Sequence, residues 1–173
     1  MRTLVSPTTT LHAAWLAARD DWGRGVHQDG AGLHEDDEVD SPAGFAAWVA
    51  RLTAQSSGPV ADGRIPATYW WIVENGTVLG AITLRHHLNA RLLEAAGHIG
   101  FGVRPSARGR GVASWGLARV LDEARTRRLP RVLLSCGTDN PASARVIERN
   151  GGVLEDVRDT WLGPARRYRI DLG

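Results

Sequence analysis

The chain has 173 residues, 43% hydrophobic and 23% charged, which suits one domain able to bury a single substantial core. All 21 basic residues are arginine and the formal net charge is only +2; without a basic stripe interleaved with aromatics, a nucleic-acid partner is not expected. No apolar run approaches a membrane span, residues 1–10 (MRTLVSPTTT) lack a signal-peptide apolar segment, and the single Cys136 rules out an internal disulfide, so the expected location is cytoplasmic, with no membrane association.

Taken in chain order, Leu4 and Val5 form a short strand broken by Pro7. A helix follows from Thr10, whose hydroxyl caps it, with Leu11, Ala14, Trp15 and Ala18 turned inward. Residues 20–40 read as a loop with Gly23, Gly25, Gly30 and Gly32 and an acidic cluster of Glu35, Asp36, Asp37, Glu38 and Asp40. Ser41-Pro42 is an N-cap followed by proline in the first turn. The helix it opens has an apolar face of Phe45, Trp48, Val49 and Leu52, with Gly58-Pro59 past its end. A loop over residues 55–66 leads to a β-hairpin, 68–73 against 78–85, around Glu74-Asn75-Gly76-Thr77; Asn-Gly suits a type I′ turn. Residues 98–103 extend that sheet, antiparallel to the second arm. A helix over 114–127 crosses to a strand at 131–135, predicted to run parallel to the preceding one. A short helix at 141–149 stops at Asn150-Gly151. Two last strands, 153–162 and 165–172, turn around Gly163-Pro164. The order is β-α-α-β-β-β-α-β-α-β-β, an α/β chain without repeats.

Residues 103–113, VRPSARGRGVA, carry the chemistry. They join an apolar strand to an amphipathic helix in which Leu117, Val120, Leu121 and Ala124 recur at helical spacing. Gly109 and Gly111 let the backbone approach a ligand. A helix N-terminus presents unpaired N–H groups and positive potential, which suit a pyrophosphate, and Arg104, Arg108 and Arg110 add full charges. An ordinary glycine-rich connection with solvated arginines is the alternative reading.

The motif R-x-x-G-x-A (Arg108, Gly111, Ala113) is similar to the acyl-CoA signature of GNAT-type N-acetyltransferases. LLSCGTDN (133–140) resembles that family's next strand and exit loop, and NPASARVIERNGG (140–152) its N-x-x-[AS] helix. Residues 65–171, with LRHHLN and GHIGF, resemble a predicted-acetyltransferase subfamily, whereas the N-terminal third matches loosely. The resemblance implies a GNAT fold: a mixed central sheet of about seven strands, about four flanking helices, and a splayed pair of parallel strands at the acyl-CoA site. It also implies one acetyltransferase domain over residues 1–173, with 1–67 lining the acceptor and 68–173 forming the acyl-CoA core. Acetyl-CoA is the implied cosubstrate, with no metal. Phe101, Gly102 and Val103 would bind the acyl and pantetheine groups, with Gly100 and Gly102 fitting a β-bulge or a packing accommodation. Arg108, Gly109, Arg110, Gly111, Val112 and Ala113 would hold the pyrophosphate, and Asn140 and Ser143 the pantetheine arm; Asn140 also reads as an N-cap.

In that family the amine attacks the thioester directly, so proximity and carbonyl polarisation carry much of the rate. The family's usual tyrosine falls at Ile147 and its usual glutamates at Gly97 and Ile99. His98, His86 and Glu94 are therefore the candidates for proton transfer, although strand alternation sends His98 to the opposite face. Tyr168 or water is the substitute acid. Cys136 as an acyl-carrying nucleophile is a further reading that lacks a histidine partner. The acidic cluster either steers a cationic amine or is a solvated charge run. The expected reaction is acetyl transfer to a primary amine of a small molecule; the alternatives are protein lysines or N-termini, or acyl-CoA binding without catalysis. Trp22, Trp161 and the edge hairpin suggest a homodimer.

Overall fold

The computed structural model describes residues 1–58 and 64–173. In chain order these form β1 (Arg2–Val5), α1 (His12–Trp22), α2 (Pro42–Ser57), β2 (Ala67–Glu74), β3 (Thr77–Arg85), α3 (Ala90–Glu94), β4 (Ile99–Val103), α4 (Val112–Thr126), β5 (Arg131–Gly137), α5 (Pro141–Arg149), β6 (Val153–Thr160) and β7 (Gly163–Asp171). Among the described residues no helix is long and apolar enough to cross a membrane, and no cluster of His, Cys, Asp or Glu is placed to hold a metal ion.

Local chemistry explains most boundaries. Ser41 Oγ accepts from the Gly44 N–H at 3.1 Å with Pro42 beside it, which starts α2 where expected. The cap before α1 differs: Thr8, not Thr10, accepts from the Thr10 N–H, and a 3-10 turn over Thr9–Leu11 precedes the helix. Asn75 and Gly76 both have positive φ (51° and 77°), the type I′ geometry, so the first hairpin turns on two residues rather than four. The last hairpin turns on Trp161 and Leu162, and Gly163 and Pro164 lie inside β7. Thr160 fixes that turn, its hydroxyl accepting from the Leu162 N–H and donating to the Gly163 carbonyl. The α3 turn, capped by Asn89 on the Leu92 N–H, was not anticipated; α2 also extends through Ser57, and residues 59–63 of the expected 55–66 loop, Pro59 included, lie outside the described residues.

The seven strands divide into two sheets, ordered β1-β2-β3-β4 and β5-β7-β6, and every ladder in both is antiparallel. The splay expected at the acyl-CoA site falls between β4 and β5, which share no parallel ladder, so the mixed sheet is divided in two. The expected single core is likewise divided. One side of the first sheet packs Ile72, Ile82 and Leu84 against Leu117, Val120 and Leu121 of α4. The other packs Trp71, Val73 and Ala81 against Trp15 of α1 and Phe45, Trp48 and Leu52 of α2. Because both faces are covered, β3 is buried continuously from Val78 to Leu84 rather than at alternate residues. In the aromatic layer Trp48 lies against Trp71 with centroids 5.9 Å apart, and Phe45 stacks on His12 at 4.2 Å; such pairs add about 0.5–1.5 kcal/mol each beyond area burial.

Two polar devices hold the frame around the gap. At the start of β4, the His98 N–H donates to the Leu133 carbonyl at 2.7 Å, and the Leu133 N–H donates to His98 Nδ1 at 2.9 Å. With the bridge between Gly97 and Leu134, this clasp joins the two sheets at one point. At the other end of β4, Asp21 of α1 accepts from Arg104 Nε (2.7 Å), Ser106 Oγ (2.6 Å) and the Ser106 N–H (3.1 Å).

Both devices have a pH signature. Burial first, and the Arg85 charge second, lower the His98 pKa to about 4. The fold therefore favours neutral His98; its contribution is complete above about pH 6.5 and is lost as pH falls toward 4. The His98 ring is expected to show no NMR titration between pH 5 and 8; a midpoint above 6 refutes the clasp. Arg104 and Ser106 hold the Asp21 carboxyl at about 2, so its contribution is complete above about pH 4 and is lost as pH falls toward 2. Asp21→Asn is expected to flatten the acid limb of a urea-midpoint profile over that window; an unchanged limb counts against the lock.

Candidate active site

The gap between β4 and β5 opens into two clefts. The first, about 420 Å3, runs from the end of β4 across the N-terminus of α4 to α5. Its floor is set by the turn after β4. Gly109 and Gly111 have φ of 74° and 70°, in the left-handed region, and a Cβ at either would meet no atom within 4 Å. These glycines are thus needed for the turn itself, and the space beside them is open. No side chain caps α4, so its first N–H groups face the cleft without a capping partner. Arg108 lies over the Trp22 ring at 4.8 Å and donates from Nε to the Val103 carbonyl at 3.1 Å, which fixes its guanidinium at the cleft wall. Arg145 and Arg149 of α5, four residues apart and so on one helical face, line the same cleft and pair with no carboxylate among the described residues.

Of the residues expected to bind the cofactor, Phe101, Gly102, Val103, Arg108, Gly109, Gly111, Val112, Ala113, Asn140 and Ser143 all line this first cleft. Arg110 does not; its guanidinium pairs with Glu74 at 2.9 Å on the far side of the loop. Asn140 caps α5, its Oδ1 accepting from the Ser143 N–H at 3.1 Å. The β-bulge expected at Gly100 and Gly102 is absent: β3 and β4 pair in unbroken register from Gly80–Val103 to Leu84–Ile99. These glycines instead seat the loop before α2. A Cβ on Gly102 would lie 2.7 Å from the Asp29 carbonyl oxygen, and one on Gly30 would lie 2.6 Å from the Gly100 carbonyl oxygen. Thr83 completes the seat by donating from Oγ1 to the Gly30 carbonyl at 3.2 Å.

The second cleft, also about 420 Å3, lies on the other side of that loop. Asp29, Phe101, Asn140 and Ser143 line both clefts, so the two meet there. Asp29 is the one carboxylate lining either, among the described residues, and its Oδ1 is 3.1 Å from His27 Nε2. His34, Tyr69, Arg85 and Cys136 also line it. Burial, then the Arg51 charge, lowers the His34 pKa, and burial raises that of Tyr69, whose hydroxyl donates to Gln55 Oε1. Burial also raises the Cys136 thiol pKa, the wrong direction for a nucleophile.

The residues expected to move protons are elsewhere. His98 is committed to the sheet clasp, on the face that strand alternation assigns it. The backbone irregularity upstream, with Ala96 and Gly97 at φ of 71° and 68°, does not turn it inward. His86 faces Thr68, Nε2 to Oγ1 at 2.8 Å, and Glu94 accepts the Trp161 N–H at 3.3 Å. None of the three lines either cleft. Tyr168 is buried, donates to Glu148 Oε1 at 2.9 Å, and has its pKa pushed up to about 12 by burial first and that bond second; Ile147 lies in the core.

The acidic cluster is mostly exposed, Asp37 alone being half-buried, and Glu35 and Asp36 have no partner among the described residues. Asp37 pairs with Arg51, Asp40 with Arg19 at 2.8 Å, and Glu38 accepts from Ser41; none of the five carboxylates lines a cleft. Of the two tryptophans that suggested a second copy, Trp22 is a cleft wall, and Trp161 has the Arg91 guanidinium over its ring at 3.8 Å but stays exposed. Asp29, Arg85, Arg145 and Arg149 were not foreseen. The i, i+4 spacing of the last two was a legible signal; Asp29 was hidden in a glycine-rich loop with no periodicity.

Comparison with solved structures places this architecture. An N-acetyltransferase from Staphylococcus aureus Mu50 superposes with a TM-score of 0.68 at 17% identity, covering 100% of this chain and 99% of that one. The microcin C7 self-immunity acetyltransferase MccE, solved with acetyl-CoA and AMP, gives 0.71 at 13% identity, covering 98% and 92%. A Salmonella typhimurium acetyltransferase that modifies the N-terminal serine of ribosomal protein L7/L12 gives 0.69 at 17% identity, covering 99% and 95%. No curated protein matches the chain in sequence. The family described as Acetyltransferase (GNAT) domain matches residues 35–153, more than half of the chain and inclusive of the turn, α4 and α5 that line the first cleft, and the chain belongs to that family of acetyltransferases.

Proposed function

We propose that this enzyme transfers the acetyl group of acetyl-CoA to the primary amine of a small molecule by direct attack. The observation that carries the reading is the meeting of the two clefts at Asp29, Phe101, Asn140 and Ser143. A donor bound in the first and an acceptor in the second bring amine and thioester together there, and proximity supplies much of the rate. The residues present fit the donor. The uncapped N-terminus of α4 offers N–H groups and positive potential to the diphosphate, and Arg108, Arg145 and Arg149 add three cations. Backbone groups of Phe101, Gly102 and Val103, and the Asn140 amide, line the same cleft and would hold the pantetheine arm and acyl carbonyl.

In this reading the Asp29 carboxylate holds the incoming ammonium and, with His27 beside it, takes one proton and passes it to water, which frees the nitrogen lone pair to attack. The adduct nitrogen releases its second proton to water, and collapse forms the amide and expels the CoA thiolate, which takes a proton from water at the open mouth. The chain acts as one acetyltransferase domain: residues 1–67 contribute the loop that closes the acceptor side, and 68–173 the donor side and the floor of both clefts. Its free cysteine accords with a reducing, cytoplasmic setting.

Two measurements test the assignment. Replacing both Arg145 and Arg149 with Gln is expected to weaken acetyl-CoA binding by roughly tenfold or more in calorimetric titration, each guanidinium–phosphate contact being charge-assisted. Gly111→Asp, which strains the turn and sets a like charge against the diphosphate, is expected to weaken it further; wild-type affinity in both variants rejects the donor site. Asp29→Asn is expected to lower kcat by about a hundredfold while acetyl-CoA affinity stays at the wild-type value. Thiol release with a panel of small amines and serine-terminated peptides reads this out. A kcat within twofold of wild type removes Asp29 from the reaction, and preference for the peptides replaces the small-molecule acceptor.

A further inference from the structure

The acceptor cleft contains a cation that forms no ion pair among the described residues. Arg85 ends β3 and lines the second cleft; no carboxylate among the described residues lies within 4 Å of it. Its Nη1 donates to the Gly97 carbonyl at 2.9 Å, which anchors the side chain, whereas Nε and Nη2 donate to no group among the described residues. Neither nitrogen is sealed from the cleft. A half-buried guanidinium with a free edge is a costly element unless something pairs with it. The other polar side chains around it are already committed: Thr83 to the Gly30 carbonyl, Tyr69 to Gln55, and Ser135 to the Ala96 N–H. Gln28, nine-tenths buried on the same wall, has an amide nitrogen with no partner. The cleft thus has donors in surplus, and its one carboxylate, Asp29, stands at the junction with the donor cleft.

Resting on the acetyltransferase reading above, we infer that the acceptor is an amine that also carries a carboxylate, an amino-acid-like zwitterion, whose carboxylate pairs with the free edge of Arg85 while its ammonium lies at Asp29. A planar guanidinium edge matches the two oxygens of a carboxylate bidentately, which fixes the orientation of the acceptor as well as its charge. The polarity of the cleft, anion at the junction and cation inside, would present the nitrogen to the thioester. This arrangement disfavours polyamines, because a second ammonium would face Arg85.

The test uses matched acceptors differing only at that group: amino acids, their carboxamides, and the corresponding decarboxylated amines, assayed by thiol release with acetyl-CoA. The wild-type enzyme is expected to favour the carboxylates in kcat/KM by on the order of ten- to a hundredfold, the range for a charge-assisted contact. Arg85→Gln is expected to bring that ratio close to one, and Arg85→Lys to restore part of it. A purely structural Arg85 would lower all three acceptor types together and leave the ratio unchanged, which overturns the inference. The wild-type ratios decide the question even if the Arg85 variants fail to fold. Turnover of amines without preference for the carboxylate overturns this inference alone; no turnover of any acceptor overturns the acetyltransferase reading with it.

Discussion

A sheet that closed completely would leave this enzyme no site. β4 and β5 touch at a single point, where the His98 ring and backbone clasp Leu133 and Gly97 bridges Leu134. Beyond that point the two sheets part, and both clefts occupy the resulting wedge. A β-sheet edge left open carries unpaired N–H and C=O groups, so the edges of β4 and β5 stay polar in the middle of the molecule. The clasp limits how far the opening extends. It also explains why a histidine in the middle of a resemblance-bearing string is structural: a neutral ring accepting a backbone N–H substitutes for the next rung of the ladder.

The two sides of the wedge, which we propose as donor and acceptor sides, differ in how they are built. On the donor side the turn and helix start set the geometry, with glycines 109 and 111 in left-handed backbone and guanidinium groups around them. Side-chain identity matters less there than backbone direction. The acceptor side is closed by a loop from the N-terminal region lying on β3 and β4. Only that loop brings a carboxylate to the junction. The acidic residues further along it serve the fold, where Asp37 and Asp40 hold the loop to α1 and α2 through Arg51 and Arg19.

What the sequence revealed follows from this difference. The donor side was legible because its physics is local: a turn, a helix start and the strand before them lie within about a dozen residues, and ten of the eleven residues assigned to it line one cleft. Arg110 failed because the direction of a long side chain depends on a distant partner, here Glu74. The acceptor side brings residue 29 against residue 102 and residue 30 against residue 100. No periodicity encodes contacts at such separations, so nothing in the sequence marks Asp29 and Arg85, whereas His98, His86 and Glu94 stand out by their chemistry alone. The parting of β4 and β5 was legible through the family resemblance and not through periodicity. Strand order follows from the sequence pattern, but whether adjacent strands pair along their length depends on packing from both sides.

The seating of the acceptor loop has a consequence for how such an enzyme changes over time. Gly30 against Gly100, the Asp29 backbone against Gly102, and Thr83 on the Gly30 carbonyl are contacts with the loop's main chain. The exposed side chain of His27 contributes little to holding it in place. Substitution there can therefore alter which acceptor fits while the main chain keeps its seat, and the donor half needs no compensating change. Selection for a new substrate would act on a few residues at small cost to folding, so one acyl-CoA frame can serve many acceptors.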